Sequence, residues 1–208
     1  MADIVKQIID TKYEEVKKRN IWEGSNFENI SKVENDDVGK IGEKIINDLC
    51  KLSDLHAEID GIQTKQVGGG CGDGIICFKT VEIKTARLGS DEKSFQHELG
   101  EVPWNAEYMI FLDISPNKIY ITIFKNFTQE FYEESGKNNS IKCEPCFPTK
   151  SITWRKLKGA FKLDTTMTIN EKNVKNKNTY VIENDNLELD EEEFRNYINS
   201  VIPPPPSE

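Results

Sequence analysis

The sequence predicts an α/β fold of the α+β type, a central sheet flanked by helices, and three stretches carry that expectation. DVGKIGEKIINDLCKL, from Asp37 to Leu52, has the apolar spacing of an amphipathic helix. EYMIFLDI (107 to 114) and KIYITIF (118 to 124) flank Ser115-Pro116-Asn117, a turn signature between two strands. GDGIICFKTVEIK (72 to 84) reads as strand while placing Glu82 and Lys84 beside apolar Val81 and Ile83.

In chain order, residues 3 to 19 read as a charged amphipathic helix, and 20 to 37 as a polar, Asn-rich connection with breaker residues. In the helix from Asp37, an advance of about 100° per residue puts Val38, Ile41, Ile45, Leu49 and Leu52 in one narrow arc, widened by Ile46 and Cys50. Gly39 and Gly42 fall inside that arc. Glycine costs a helix about 1 kcal/mol, so two on the apolar side indicate close approach to a sheet. Glu43 sits just past the widened edge, where a helix face meets solvent or a cleft. A short run at 57 to 67 leads through Gly68-Gly69-Gly70 to the 72 to 84 stretch. Ser90 to Val102 carries Phe95, Leu99 and Val102 at helical spacing, so a helix is expected over about 93 to 102. Ile119, Ile121 and Ile123 then alternate against Lys118, Tyr120 and Thr122, which predicts a sheet covered on one side. Further on come a loop at 136 to 149, the basic segment TWRKLKGAFK at 153 to 162, strands near 165 to 169 and 179 to 183, and a helix around 189 to 201. Residues 1–202 are read as one domain, and 203–208, opening on four prolines, as a mobile tail.

Composition narrows the function classes. A chain of 208 residues with 37% hydrophobic side chains can bury one substantial core. No apolar run approaches the ~20 residues of a membrane span, so no membrane partner is expected. Five cysteines without a secretory signal point to a reducing, cytoplasmic setting. Cys143-Glu144-Pro145-Cys146 is a CxxC. Its nearest fellow thiols, Cys71 and Cys77, lie far upstream at the wrong spacing for a zinc site, so two ordinary thiols are the expectation. His56 is expected as a polar residue at the surface; for His97, as for Gln96 beside it, a cleft-facing place stays open next to the favoured surface one. The formal net charge of −9 means that binding to nucleic acid has to rest on a local basic surface.

Strand periodicity gives Glu82 and Lys84 a common face opposite Val81, Ile83 and Thr85. If the chain folds back between Asp73 and Glu82, Asp73 joins that face, although no Asn-Gly or Asp-Gly marks the turn. Two carboxylates a few ångströms apart repel unless a cation lies between them, and hard oxygen donors select Mg²⁺. Lys84 beside them is suited to hold a water and to offset charge developing on a phosphate. The bland alternative is an exposed Glu82–Lys84 salt bridge, which an isolated ExK favours.

Asp73, eight intervening residues, then Glu82-Ile83-Lys84, with the Glu43 helix before them and a helix expected from near Gln96, resembles the PD-(D/E)xK nuclease superfamily, closest in character to Type II restriction endonucleases. The resemblance covers about residues 37 to 125 and implies an αβββαβ core with a central mixed sheet, followed by recognition elements over about 126 to 202. It departs from the motif in having Gly72 where a proline would precede the acid. The resemblance implies Asp73 and Glu82 as metal ligands with the Ile83 carbonyl, Lys84 as the catalytic lysine and Glu43 as the helix acid. The implied cofactor is Mg²⁺, with Mn²⁺ as a substitute. Further implications are double-stranded DNA as substrate, a homodimer on a palindromic target and a cognate DNA methyltransferase. DNA contacts are expected from Arg87, Lys93, Gln96, Arg155, Lys156, Lys158 and Lys162, with Trp154 and Phe161 adding apolar surface. Two alternatives stay open: a repair or recombination nuclease of the same fold, and a non-cutting interaction module, to which the acidic run Asp190-Glu191-Glu192-Glu193 lends support.

Overall fold

Eight consecutive residues of YMIFLDIS, Tyr108–Ser115, are all buried, and the fold is organised around them. The computed structural model describes residues 2–16, 20–59, 72–89, 94–99, 105–127, 151–156, 163–170, 179–183 and 189–205. Its helices are α1 (Ala2–Val16), α2 (Asn35–Leu52) and α3 (Glu191–Val201), with a short 3-10 segment at Glu28–Lys32. The strands are β1 (Ala57–Ile59), β2 (Gly74–Ile76), β3 (Lys79–Arg87), β4 (Ser94–Glu98), β5 (Tyr108–Ser115), β6 (Lys118–Lys125), β7 (Ser151–Lys156), β8 (Leu163–Asn170) and β9 (Thr179–Ile182). None of the described helices is long and apolar enough to cross a membrane.

Six strands form a mixed sheet in the order β1-β2-β3-β5-β6-β9, flanked by helices. β3 and β5 run parallel, with Glu82 opposite Met109 and Lys84 opposite Phe111, while the other neighbours are antiparallel. A strand buried on both faces reads as an unbroken apolar run, which is the pattern of β5. The turn at Pro116 and Asn117 joins it to β6 as the sequence indicates, with Ser115 paired to Lys118.

One face of the sheet, carrying Val81, Ile83 and Thr85, is covered by α2. The buried stripe of α2 is Val38, Gly42, Ile46 and Cys50, rotated from the predicted arc toward its widened side, and Leu52 is exposed. The close approach expected of the glycines is real at one of them. A Cβ on Gly42 would lie 1.8 Å from Thr85 Oγ1, whereas one on Gly39 meets nothing within 4 Å. α3 closes the same face further along. Its Phe194 packs edge-on against Tyr180 of β9 (5.1 Å), and Tyr197 Oη donates to the Ile121 carbonyl (2.9 Å).

The opposite face overturns two expectations. Residues 94–98 are strand β4, not part of a helix, and β4 joins β8 and β7 in a separate three-stranded antiparallel sheet. Phe95, His97 and Leu99 are buried at spacing two, so the period is that of a strand. Phe95 meets Tyr120 edge-on at 6.0 Å, and His97 meets Phe111 at 4.9 Å. Tyr120 and Thr122 are consequently buried, and the main sheet is covered on both faces where a single covered side was expected.

Candidate active site

Asp73 reaches β3 because β2 and β3 form a two-residue hairpin, with Gly74 paired to Val81 and Ile76 to Lys79. The turn residues are Cys77 and Phe78, at φ +48° and +63°. Both central residues of a type I′ turn need positive φ, which Asn-Gly supplies cheaply; here two side-chain-bearing residues supply it at a steric cost. Ahead of Asp73, Gly72 has φ +87°, and a Cβ there would lie 2.2 Å from the Val81 carbonyl oxygen. Proline, locked near −65°, cannot occupy that position.

The strand ladder hands over to Asp73 in two steps. Its amide donates to the Val81 carbonyl (2.7 Å), and its Oδ2 accepts the Ile83 amide (2.7 Å). β2 does not extend this far, so the carboxylate takes the place of a missing strand. Amide and carbonyl of one strand residue point off the same edge, so the Ile83 carbonyl is directed toward the Asp73 side. On the sheet face, Lys84 Nζ donates to Glu82 Oε1 at 2.5 Å, with side chains 19% and 20% exposed. That exposure separates the two readings of the ExK pair: this is a recessed ion pair, not a solvated surface bridge.

The carboxylates feel one another. Burial, and next the negative charge of Glu82, push the Asp73 carboxyl up to about 6; the Ile83 amide and Lys84 oppose the rise, and Glu43 adds to it. Glu43 follows Gly42 on α2, the residue seated against Thr85, which brings its charge within range of the sheet edge. The structure therefore brings Glu43, Asp73, Glu82 and Lys84 into one electrostatic neighbourhood, drawn from α2, the start of β2 and β3.

Among the described residues no group of three or more His, Cys, Asp or Glu side chains is arranged to hold a metal ion. The donor set on offer is two carboxylates, Asp73 and Glu82, with the Ile83 carbonyl at the same edge. Mg²⁺ commonly takes one or two carboxylates and fills its remaining positions with water and substrate oxygens, and a carboxylate crowded by its neighbour lacks positive charge, so these residues fit the ion.

The remaining predicted residues divide. Arg87 is a structural clasp. Its Nη1 donates to the carbonyls of Ile30 (2.6 Å) and Val33 (2.7 Å), and Nη2 to Asn35 Oδ1 (3.2 Å). These bonds tie the segment before α2 to the end of β3 and commit the guanidinium there. Gln96 is exposed on the outward face of β4. Arg155 and Lys156 fall on β7, the edge of the small sheet. Lys93, Lys158, Lys162 and Phe161, and the thiols Cys71, Cys143 and Cys146, lie outside the described residues, as do the loop at 136 to 149 and most of the glycine run. His56 is partly exposed. His97, expected at the surface, is buried, with Nε2 2.6 Å from Asp113 Oδ1. Asp113 lies two residues beyond Phe111, the partner of Lys84, so this pair pins β4 to the sheet one side chain away from the site. The signal for it was an acid inside the apolar run YMIFLDIS.

No family model matches the chain, and no curated protein or solved structure matches it either.

Proposed function

We propose that the chain is a metal-dependent DNA hydrolase, and within that class a sequence-specific double-stranded endonuclease of restriction type. The observation carrying this is the recessed Asp73–Glu82–Lys84 cluster, in which the Asp73 carboxyl is pushed upward first by burial and then by the charge of Glu82, and a lysine is held 2.5 Å from Glu82. Mg²⁺, when bound, supplies Lewis acidity at the scissile phosphate. The residues of the chain do the rest. Asp73 and Glu82 provide oxygen donors, oriented by the Ile83 amide on one and Lys84 on the other. With Glu82 engaged as a ligand, Lys84 is freed to face the phosphate, where its ammonium donates to a water in line with it and offsets the charge of the transition state. Glu43 adds negative potential from the α2 side. A duplex cut on both strands by chains with one site each favours a two-fold dimer.

The deciding experiment is incubation of purified protein with unmethylated plasmid and phage DNA, in Mg²⁺ and in chelator. Discrete fragments in Mg²⁺ alone support the restriction-type reading. Cutting confined to branched or frayed DNA supports the repair-nuclease alternative, and absence of any metal-dependent cutting refutes the hydrolase.

A further inference from the structure

The hairpin that delivers Asp73 to the site carries a second feature at its tip. Phe78 is 64% exposed, more than any other large apolar side chain of the described residues. It occupies the left-handed region at φ +63°, a conformation a bulky residue rarely adopts, and strain of this kind collects at functional positions. One ring face is stacked on His56, with centroids 4.5 Å apart and planes 13° from parallel. The other face is open, given the exposure of the ring. The mount is stiff: the Cys77 amide donates to the His56 carbonyl (2.9 Å), and the Cys77 side chain is buried beneath the turn.

We propose that Phe78, backed by His56, is a stacking platform for an unstacked base of the nucleic-acid substrate. It rests on the hydrolase assignment above. An open aromatic face on a rigid support matches the planar face of a base, and stacking of this type is tolerant of sequence. The platform and Glu82 belong to one hairpin, four residues apart, or ~13 Å at the rise of a strand. That is roughly four nucleotide steps along DNA, so one bound molecule can reach both. Lys79 lies 3.3 Å from Glu107 and His56 3.5 Å from Glu58, so the basic side chains beside the ring each have a carboxylate next to them, and the platform adds affinity by stacking and not by attracting phosphate. The base it receives is one unpaired near the cut, either turned out of an intact duplex at the cost of unstacking or already single-stranded, and the second kind binds more tightly because that cost is absent.

The experiment compares a blunt duplex with the same duplex bearing a short single-stranded tail, by fluorescence anisotropy in Ca²⁺ across a salt series. Wild type and Phe78→Asn are measured, with melting temperature and Mg²⁺-dependent DNA cutting recorded for both. Asparagine accepts positive φ, so the variant is expected to melt no lower than wild type. Wild type should hold the tailed duplex roughly ten- to a hundred-fold more tightly than the blunt one, and Phe78→Asn should bring the two affinities together. The salt dependence should be the same for both proteins, because no charge is removed. A wild-type preference that survives in Phe78→Asn overturns the platform, as does the absence of any preference in wild type that cuts DNA. A lower melting temperature with the preference intact also overturns it and makes the ring a structural prop. Wild type that neither binds nor cuts DNA overturns the hydrolase assignment as well.

Discussion

Replacing Asp73 with asparagine should stabilise the protein at neutral pH while abolishing the proposed Mg²⁺-dependent DNA cleavage. The Asp73 carboxyl is pushed up to about 6 from an ordinary value of 3.8, first by burial and then by Glu82. Between those values the folded chain retains a proton that the unfolded chain has released. Stability therefore falls as pH rises from about 4 to 6, and above that window the whole cost is present. A shift of about two units corresponds to ~3 kcal/mol, reduced to ~2–3 kcal/mol by the partial solvent contact of the group. The amide side chain of Asp73→Asn retains an oxygen to accept the Ile83 amide and carries no charge to be desolvated. The melting temperature of this variant should exceed that of wild type by roughly 4–12 °C at neutral pH, with the gain shrinking toward zero near pH 4. Millimolar Mg²⁺ or Ca²⁺ should stabilise wild type and narrow the gap, because a cation compensates the charge that asparagine removes. Thermal melts by circular dichroism across pH, with and without the cation, read all of this. An Asp73→Asn protein less stable than wild type at neutral pH, or an advantage that is independent of pH, would refute the crowding of the two carboxylates.

Three further outcomes follow from the fold. Gly42→Ala should be destabilising by ~1–3 kcal/mol despite the better helix propensity of alanine, since its Cβ collides with Thr85; Gly39→Ala, with open space, should gain about 0.5–1 kcal/mol, and urea melts of the two separate packing from propensity. Ile83→Asp should leave the chain unfolded or nearly so, because that side chain is buried under α2 and a lone carboxylate there costs several kcal/mol; a cooperative melt near the wild-type temperature would show that the strand faces the other way. Arg87→Ala should cost ~2 kcal/mol or more by removing the charged donor shared by the Ile30 and Val33 carbonyls and Asn35, while the salt dependence of DNA affinity stays at the wild-type slope; a flatter slope would return Arg87 to the phosphate-contacting set.

What the sequence discloses depends on whether a signal is local. The common face of Glu82 and Lys84 follows from strand periodicity alone, and the β5–β6 hairpin from Ser-Pro-Asn between two apolar runs. The turn at Cys77-Phe78 is invisible because it meets a positive-φ requirement without glycine or asparagine. β4 reads as helix because Phe95, Leu99 and Val102 satisfy helical spacing, while the true alternation of Phe95, His97 and Leu99 hides behind a polar residue facing inward. That residue is tolerated inside because Asp113, sixteen positions away, receives it. Burial of Tyr120 and Thr122 is equally out of reach, since the sheet that covers them includes β7 and β8, from residues 151–170. The apolar spacing of α2 runs on to Leu52, but the last buried residue of the helix is Cys50, and Leu52 has no sheet beneath it. Arg87 looks like a phosphate ligand for want of any local sign that three partners in residues 30–35 claim it.

The most direct measurement is the single-turnover rate of Mg²⁺-dependent DNA cleavage by wild type and by Lys84→Ala, at matched folding verified by melting. Lys84 lies on the recessed face next to Glu82 and is not a member of the buried apolar core, so the variant should remain folded. Its rate should fall by at least about 10²–10³-fold, the usual cost of removing one preorganised donor from a developing charge. Lys84→Ala that is folded and cleaves DNA at the wild-type rate would contradict the assignment of this cluster as the hydrolytic site.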